Sequence, residues 1–194
     1  MRGMTVDGLG NGLEVRAGKT FTLGTQLTLS GPLTKTGPGT FVLSGAAVAD
    51  GAAFTVSEGK VVVAGADALN GVETTLAAGT SLALAVDPDN EALCRDGIRN
   101  VKTDTPFTLA SGTQLPFSLV VSDAARAKLK AGAKSIGLFT VTANAASAMR
   151  TMLAGLAFRV PGLTLTPFES TDQETGDVTF GVESCPSGLL MILR

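Results

Sequence analysis

A chain of 194 residues with 44% apolar and 16% charged side chains is too apolar for a disordered chain. No run approaches the roughly 18 apolar residues of a membrane-spanning helix, and a net charge of −2 argues against a nucleic-acid or anionic-membrane partner. The absence of His removes the commonest metal ligand, the usual acid–base group near neutral pH and any Ser–His or Cys–His nucleophile, while the absence of Trp and Tyr removes the usual sugar-stacking rings.

The first residues, Met-Arg-Gly-Met, lack the apolar core of a secretory signal, so either a signal lies upstream in a longer precursor or the protein is intracellular. Gly8–Gly12, "GLGNG", leads into strand-like rather than helical sequence and is no dinucleotide fingerprint. A repeat then begins. Gly18, Gly39, Gly59 and Gly79 are spaced by 21, 20 and 20 residues, and after a gap of 33 Gly112 and Gly132 are again 20 apart. Alternating pairs precede most of them: Leu13 and Val15, Phe54 and Val56, Thr74 and Leu76, Phe107 and Leu109. Further pairs follow: Phe21 and Leu23, Phe41 and Leu43, Val61 and Val63, Leu82 and Leu84, Leu115 and Phe117, Ile136 and Leu138. Period-two alternation marks strands with one buried face, and the glycine between them supplies a positive φ for a tight bend.

The unit strand–glycine–strand, recurring near every 20 residues, predicts a parallel β-solenoid over residues 1–86, one coil per repeat. A β-sandwich of hairpins is the alternative, disfavoured because hairpins have no reason to keep one length. Outward strand positions such as Thr22, Thr28 and Val42 carry few acids and no aromatic platform, which weakens a polysaccharide-processing reading that needs two carboxylates across a sugar.

Residues 31–84 contain "GPLTKTGPGTFVLSGAA", "FTVSEGKVVVAG" and "TTLAAGTSLAL". Lys35, Thr36, Gly37, Gly39, Thr40, Leu43, Ser44 and Gly45 fall on a Lys-Thr-Gly-x-Gly-Thr-apolar-x-Leu-Ser-Gly run, so this segment resembles the autotransporter-associated β-strand repeat. Pro38 departs from it, standing where that family has a small residue. The resemblance implies a right-handed solenoid in a secreted or surface-displayed bacterial protein.

Residues 87–104 hold eight charged residues in eighteen and read as an insertion looping off the scaffold. Asp87, Asp89 and Glu91 alternate like the first ligands of a calcium loop, but Ala92 and Ile98 stand where its glycine and bidentate Glu belong. A solvated acidic loop is the competing reading. Cys94 and Cys185 suit one disulfide or two isolated thiols.

From 105 to 194 a β-rich cap carries two short helices, "SDAARAKLKAG" at 122–132 and "NAASAMRTMLAGL" at 144–156. "AGAKS" at Ala131–Ser135 is no phosphate loop, because Ala133 separates glycine from lysine. Asp172, Glu174 and Asp177 read as a polar hairpin loop before an alternating strand from Thr179 and a last apolar strand at Leu189–Leu193.

Function follows as an expectation: a non-catalytic, surface-displayed scaffold or adhesive module without a cofactor, self-associating through open β-edges. The alternative is a small β domain that binds an extracellular glycan or protein through residues 87–104.

Overall fold

A computed structural model describes residues 4–6, 11–49, 52–112, 114–132 and 134–186, so the expected strand at Leu189–Leu193 lies outside the described residues. The chain winds a β-solenoid of about four turns. Its first rung contains β1 (Met4–Val6), β2 (Asn11–Glu14) and β3 (Thr20–Leu23), and its second β4 (Leu27–Leu29), β5 (Leu33–Thr36) and β6 (Thr40–Leu43). The third holds β7 (Ala47–Val48), β8 (Ala52–Val56) and β9 (Lys60–Val63); the fourth, β10 (Val72–Leu76) and β11 (Ser81–Val86). After α1 (Glu91–Asp96) the last rung contains β12 (Ile98–Asn100), β13 (Phe107–Leu109) and β14 (Phe117–Val121). The cap follows as α2 (Asp123–Lys130), β15 (Lys134–Val141), α3 (Ala143–Leu153), β16 (Leu163–Thr171) and β17 (Val178–Pro186).

The faces stack as parallel sheets ordered β1-β4-β7, β13-β10-β8-β5-β2 and β14-β11-β9-β6-β3. Parallel pairing at constant register places equivalent side chains above one another. Phe21, Phe41, Val61, Leu82 and Phe117 form one column, and Leu23, Leu43, Val63, Leu84 and Leu119 the next. Phe41 and Leu43 are fully buried, each worth about 1.5–3 kcal/mol of transfer free energy. Solenoid rather than sandwich is the result, because every strand pair across these faces is parallel.

The bends between the second and third faces sit on Gly18, Gly37, Gly59, Gly79 and Gly112, all at positive φ. The expected Gly39 is therefore corrected to Gly37. Gly39 is needed for closeness instead, since a β-carbon there would enter the backbone of Arg16 and Lys19. Gly132 leaves the series too, because it joins α2 to β15 of an antiparallel pairing.

Two inward positions break the apolar columns. Lys35 stands between Leu13 and Val56 and is completely buried. Its ammonium donates to the carbonyls of Gly37 at 2.6 Å, Glu58 at 2.8 Å and Thr36 at 3.3 Å. Three donors thus meet three acceptors, which offsets the cost of burying the charge. Burial lowers the Lys35 pKa from its ordinary value, and the Glu58 carboxylate opposes that shift. Thr74, between Phe54 and Phe107, is 1% exposed with a hydroxyl that finds no hydrogen-bond partner among the described residues.

The 87–104 segment is built into the fold. Asn90 caps α1 by accepting from Leu93 N–H at 3.1 Å, and β12 continues the first face: Ala47 N–H donates to Asp67, and Arg99 N–H to Ala66. Two buried asparagines lock this step. Asn100 accepts from Gly71 N–H at 2.9 Å and donates to Val72 at 2.8 Å, while Asn70 accepts from Val101 N–H at 3.2 Å. β12 then pairs in parallel with β15, which pairs antiparallel with β17, and β17 with β16. One face of the solenoid so grows into a four-stranded cap sheet ordered β12-β15-β17-β16. The two helices start at side-chain caps Ser122 and Thr142, and α3 stops ahead of Gly155 at φ 76°.

Lys35→Met should cost about 2 kcal/mol, because it leaves bend carbonyls of Gly37 and Glu58 without their donor, and thermal melting should show Tm falling by roughly 5 °C. The pH dependence has a fixed sign. With a folded pKa below the unfolded 10.5, the unfolded chain holds more protons in that interval, so stability rises with pH there, and Lys35→Met removes the rise. Thr74→Val should work oppositely, raising stability by about 1 kcal/mol by deleting the orphaned hydroxyl at constant volume; an unchanged or lower Tm would contradict this.

Candidate functional site

The cap sheet turns one face toward α3 and the other toward α1. Toward α3 point Leu165, Pro167, Glu169, Phe180 and Val182, with Arg150 pairing Glu169 and lying over the Phe180 ring at 5.8 Å. The opposite face carries Ser135, Thr140, Thr179 and Ser170, and between the strands two glycines, Gly137 and Gly181, face each other in register. Glycine at both positions leaves a depression in the sheet. Neighbours fill it from two sides: the Arg95 carbonyl at the end of α1 lies where a β-carbon of Gly137 would stand, and ring carbons of Phe168 lie where one of Gly181 would stand.

Between these two walls opens a cleft of about 830 Å³. α1 and the turn before it form one wall, the β16–β17 hairpin the other, and β15 and β17 the floor. Arg95 grips Asp96 through two hydrogen bonds of 2.7 and 2.8 Å, and Arg99 reaches Asp67 at 3.3 Å. Thr140 donates to the Asp96 carbonyl at 2.8 Å and accepts from the Thr179 hydroxyl, also at 2.8 Å, tying α1 to the floor. In the hairpin loop, Asp172 accepts from the backbone N–H groups of Glu174 and Thr175 at 2.8 and 2.9 Å, and these bonds, Thr175 first, hold its carboxyl below the ordinary carboxylate range.

The cleft unites two stretches that are distant in sequence, 87–104 and 172–177, but not as a metal site. Asp87 accepts from Asp89 N–H at 3.0 Å, Asp89 pairs with Lys128 of α2, and Glu91 stands in the first turn of α1. The carboxylates have separate duties, and among the described residues no group of three His, Cys, Asp or Glu is placed to hold a metal ion. The structure gathers Asp87, Asp89 and Glu91 into no such group. Cys94 and Cys185 stand unbridged in the structure. Cys94 donates to the Asp87 carbonyl at 3.1 Å, while Cys185 stands opposite Thr164 on the outer strand pair. Burial first, then the Asp87 charge, pushes the Cys94 thiol up from its ordinary value.

Phe168, Gly137 and Gly181 escaped the sequence reading, although an outward glycine inside a strand is a signal that another group approaches closely. Phe168 supplies an aromatic surface in the cap, outside the solenoid strands. Comparison with family models, with curated proteins and with solved structures found no match to this chain. Among the described residues no helix is long and apolar enough to cross a membrane.

Two thiols per chain should titrate with a chromogenic disulfide reagent after unfolding without reductant; none would restore the Cys94–Cys185 bridge.

Proposed function

We propose that the chain is a non-catalytic β-solenoid module of a secreted or surface-displayed bacterial protein, exported within a longer precursor and serving there as scaffold, stalk or adhesive surface. The observation that carries this reading is the unbroken register: Leu23, Leu43, Val63, Leu84 and Leu119 stack rung on rung, so the inward side chains of the coils are committed to packing. The likeness of residues 31–84 to autotransporter-associated repeats supports export. The first rung supports self-association, since Phe21, resting on Phe41 at 5.7 Å, is 41% exposed at an edge that parallel strands leave open.

A second reading is favoured by the cleft. Residues 87–104 contribute Arg95, Asp96 and Arg99 to its wall, which suits a module that recognises an extracellular glycan or protein.

Antibody raised against the module should label intact cells that produce the full-length protein. Excising residues 24–43 should preserve both labelling and a cooperative melt, because Leu23 and Leu43 are register partners and the cut ends match. Labelling seen only after lysis would sink the surface reading, and loss of folding on excision would sink the modular one.

A further inference from the structure

We infer that the cleft beside α1 takes a carbohydrate, a neutral or amino-bearing oligosaccharide with one ring stacked on Phe168; this rests on the second reading above. Phe168 reaches across from β16 so that two of its ring carbons cover Gly181 on β17. The ring is thereby laid over the sheet instead of standing out from it, and it lines the cleft half-buried. The negative π-face of such a ring attracts the polarised C–H groups on the flat side of a pyranose. Around it the floor and hairpin offer hydroxyls, among them Ser170 and Thr179, which both donate and accept as sugar hydroxyls do.

Charge narrows the class. Among the described residues the lining holds five acids and three bases. Two of each neutralise one another as Arg95–Asp96 and Arg99–Asp67, which leaves Glu91, Asp172 and Asp177 against Lys134. A uronate or a phosphorylated ligand meets net repulsion there, whereas neutral and amino sugars do not. A volume of about 830 Å³ lies in the range of small-molecule sites, about 300–1,000 Å³, and admits more than a single ion. A peptide fits less well, because the floor strands β15 and β17 are each paired on both sides and offer no free strand ladder to an extended chain.

The chain has no tryptophan, so Phe168→Trp installs one reporter at the proposed contact. Its fluorescence should shift saturably with at least one of cello-, chito-, chitosan- or malto-tetraose and stay unchanged with tetragalacturonate. By calorimetry, Phe168→Leu should bind the same sugar about tenfold more weakly than wild type while melting as a folded protein, the scale of one aromatic contact. Asp177→Asn, at a half-exposed position, should leave the melt unchanged and weaken an amino-bearing sugar more than a neutral one. No saturable response at roughly 10 mM of any of these sugars overturns the proposal, as does wild-type affinity in Phe168→Leu. Adherence of cells displaying the full-length protein to a matrix-coated surface separates the two levels. Adherence abolished by protease treatment of the coat, with a silent reporter, refutes the carbohydrate and spares recognition; no adherence before treatment refutes both.

Discussion

The fold is founded on one steric condition, met across its first three rungs: their bends must lie directly against one another. A β-carbon on Gly59 would enter the backbone of Gly37 and Gly39, and one on Gly37 would enter that of Val15. Contact this close holds the rungs at the spacing of a parallel ladder, near 4.8 Å, and with the spacing set, like side chains fall into columns. Lys35 belongs to the same condition. Three carbonyls crowded at the bends of two rungs face inward, and its ammonium is the group that satisfies them.

The solenoid was largely legible because its signal is local and repeated. Alternation around Phe41 and Leu43, then around Val61 and Val63, marks the same faces that are buried, and the glycines mark the corners. The signal failed where two glycines stood close together. Gly37 and Gly39 are both required, one for its dihedral angle and one for clearance, and a spacing rule cannot separate those causes. It failed again at Gly132, whose distance from Gly112 imitates the repeat although the chain has already turned through α2.

The candidate site was illegible for a different reason. Its wall, floor and ring come from residues near 95, 137, 168 and 181, brought together by a mixed sheet that pairs strands distant in sequence. Charge in 87–104 was visible, but burial of Asn100 and its bonds to Gly71 and Val72 were not. A hydrophilic stretch reads as a loop whether it is solvated or clamped. The alternate spacing of Asp87, Asp89 and Glu91 resembles a ligand loop, and it could not show that Lys128 pairs with Asp89 or that Glu91 starts a helix.

The strand β12 has a consequence for the order of events during folding. The first four rungs pair only with near neighbours in sequence, so they can wind up one after another as the chain emerges, each closing a loop of similar length. β12 differs, because its outer partner is β15, and β15 is flanked in turn by β17. β12 therefore stays unpaired along its outer side until β15, beyond α2, has been delivered. The cleft, lined by residues from Ala66 to Thr179, is complete only once nearly the whole chain is in place.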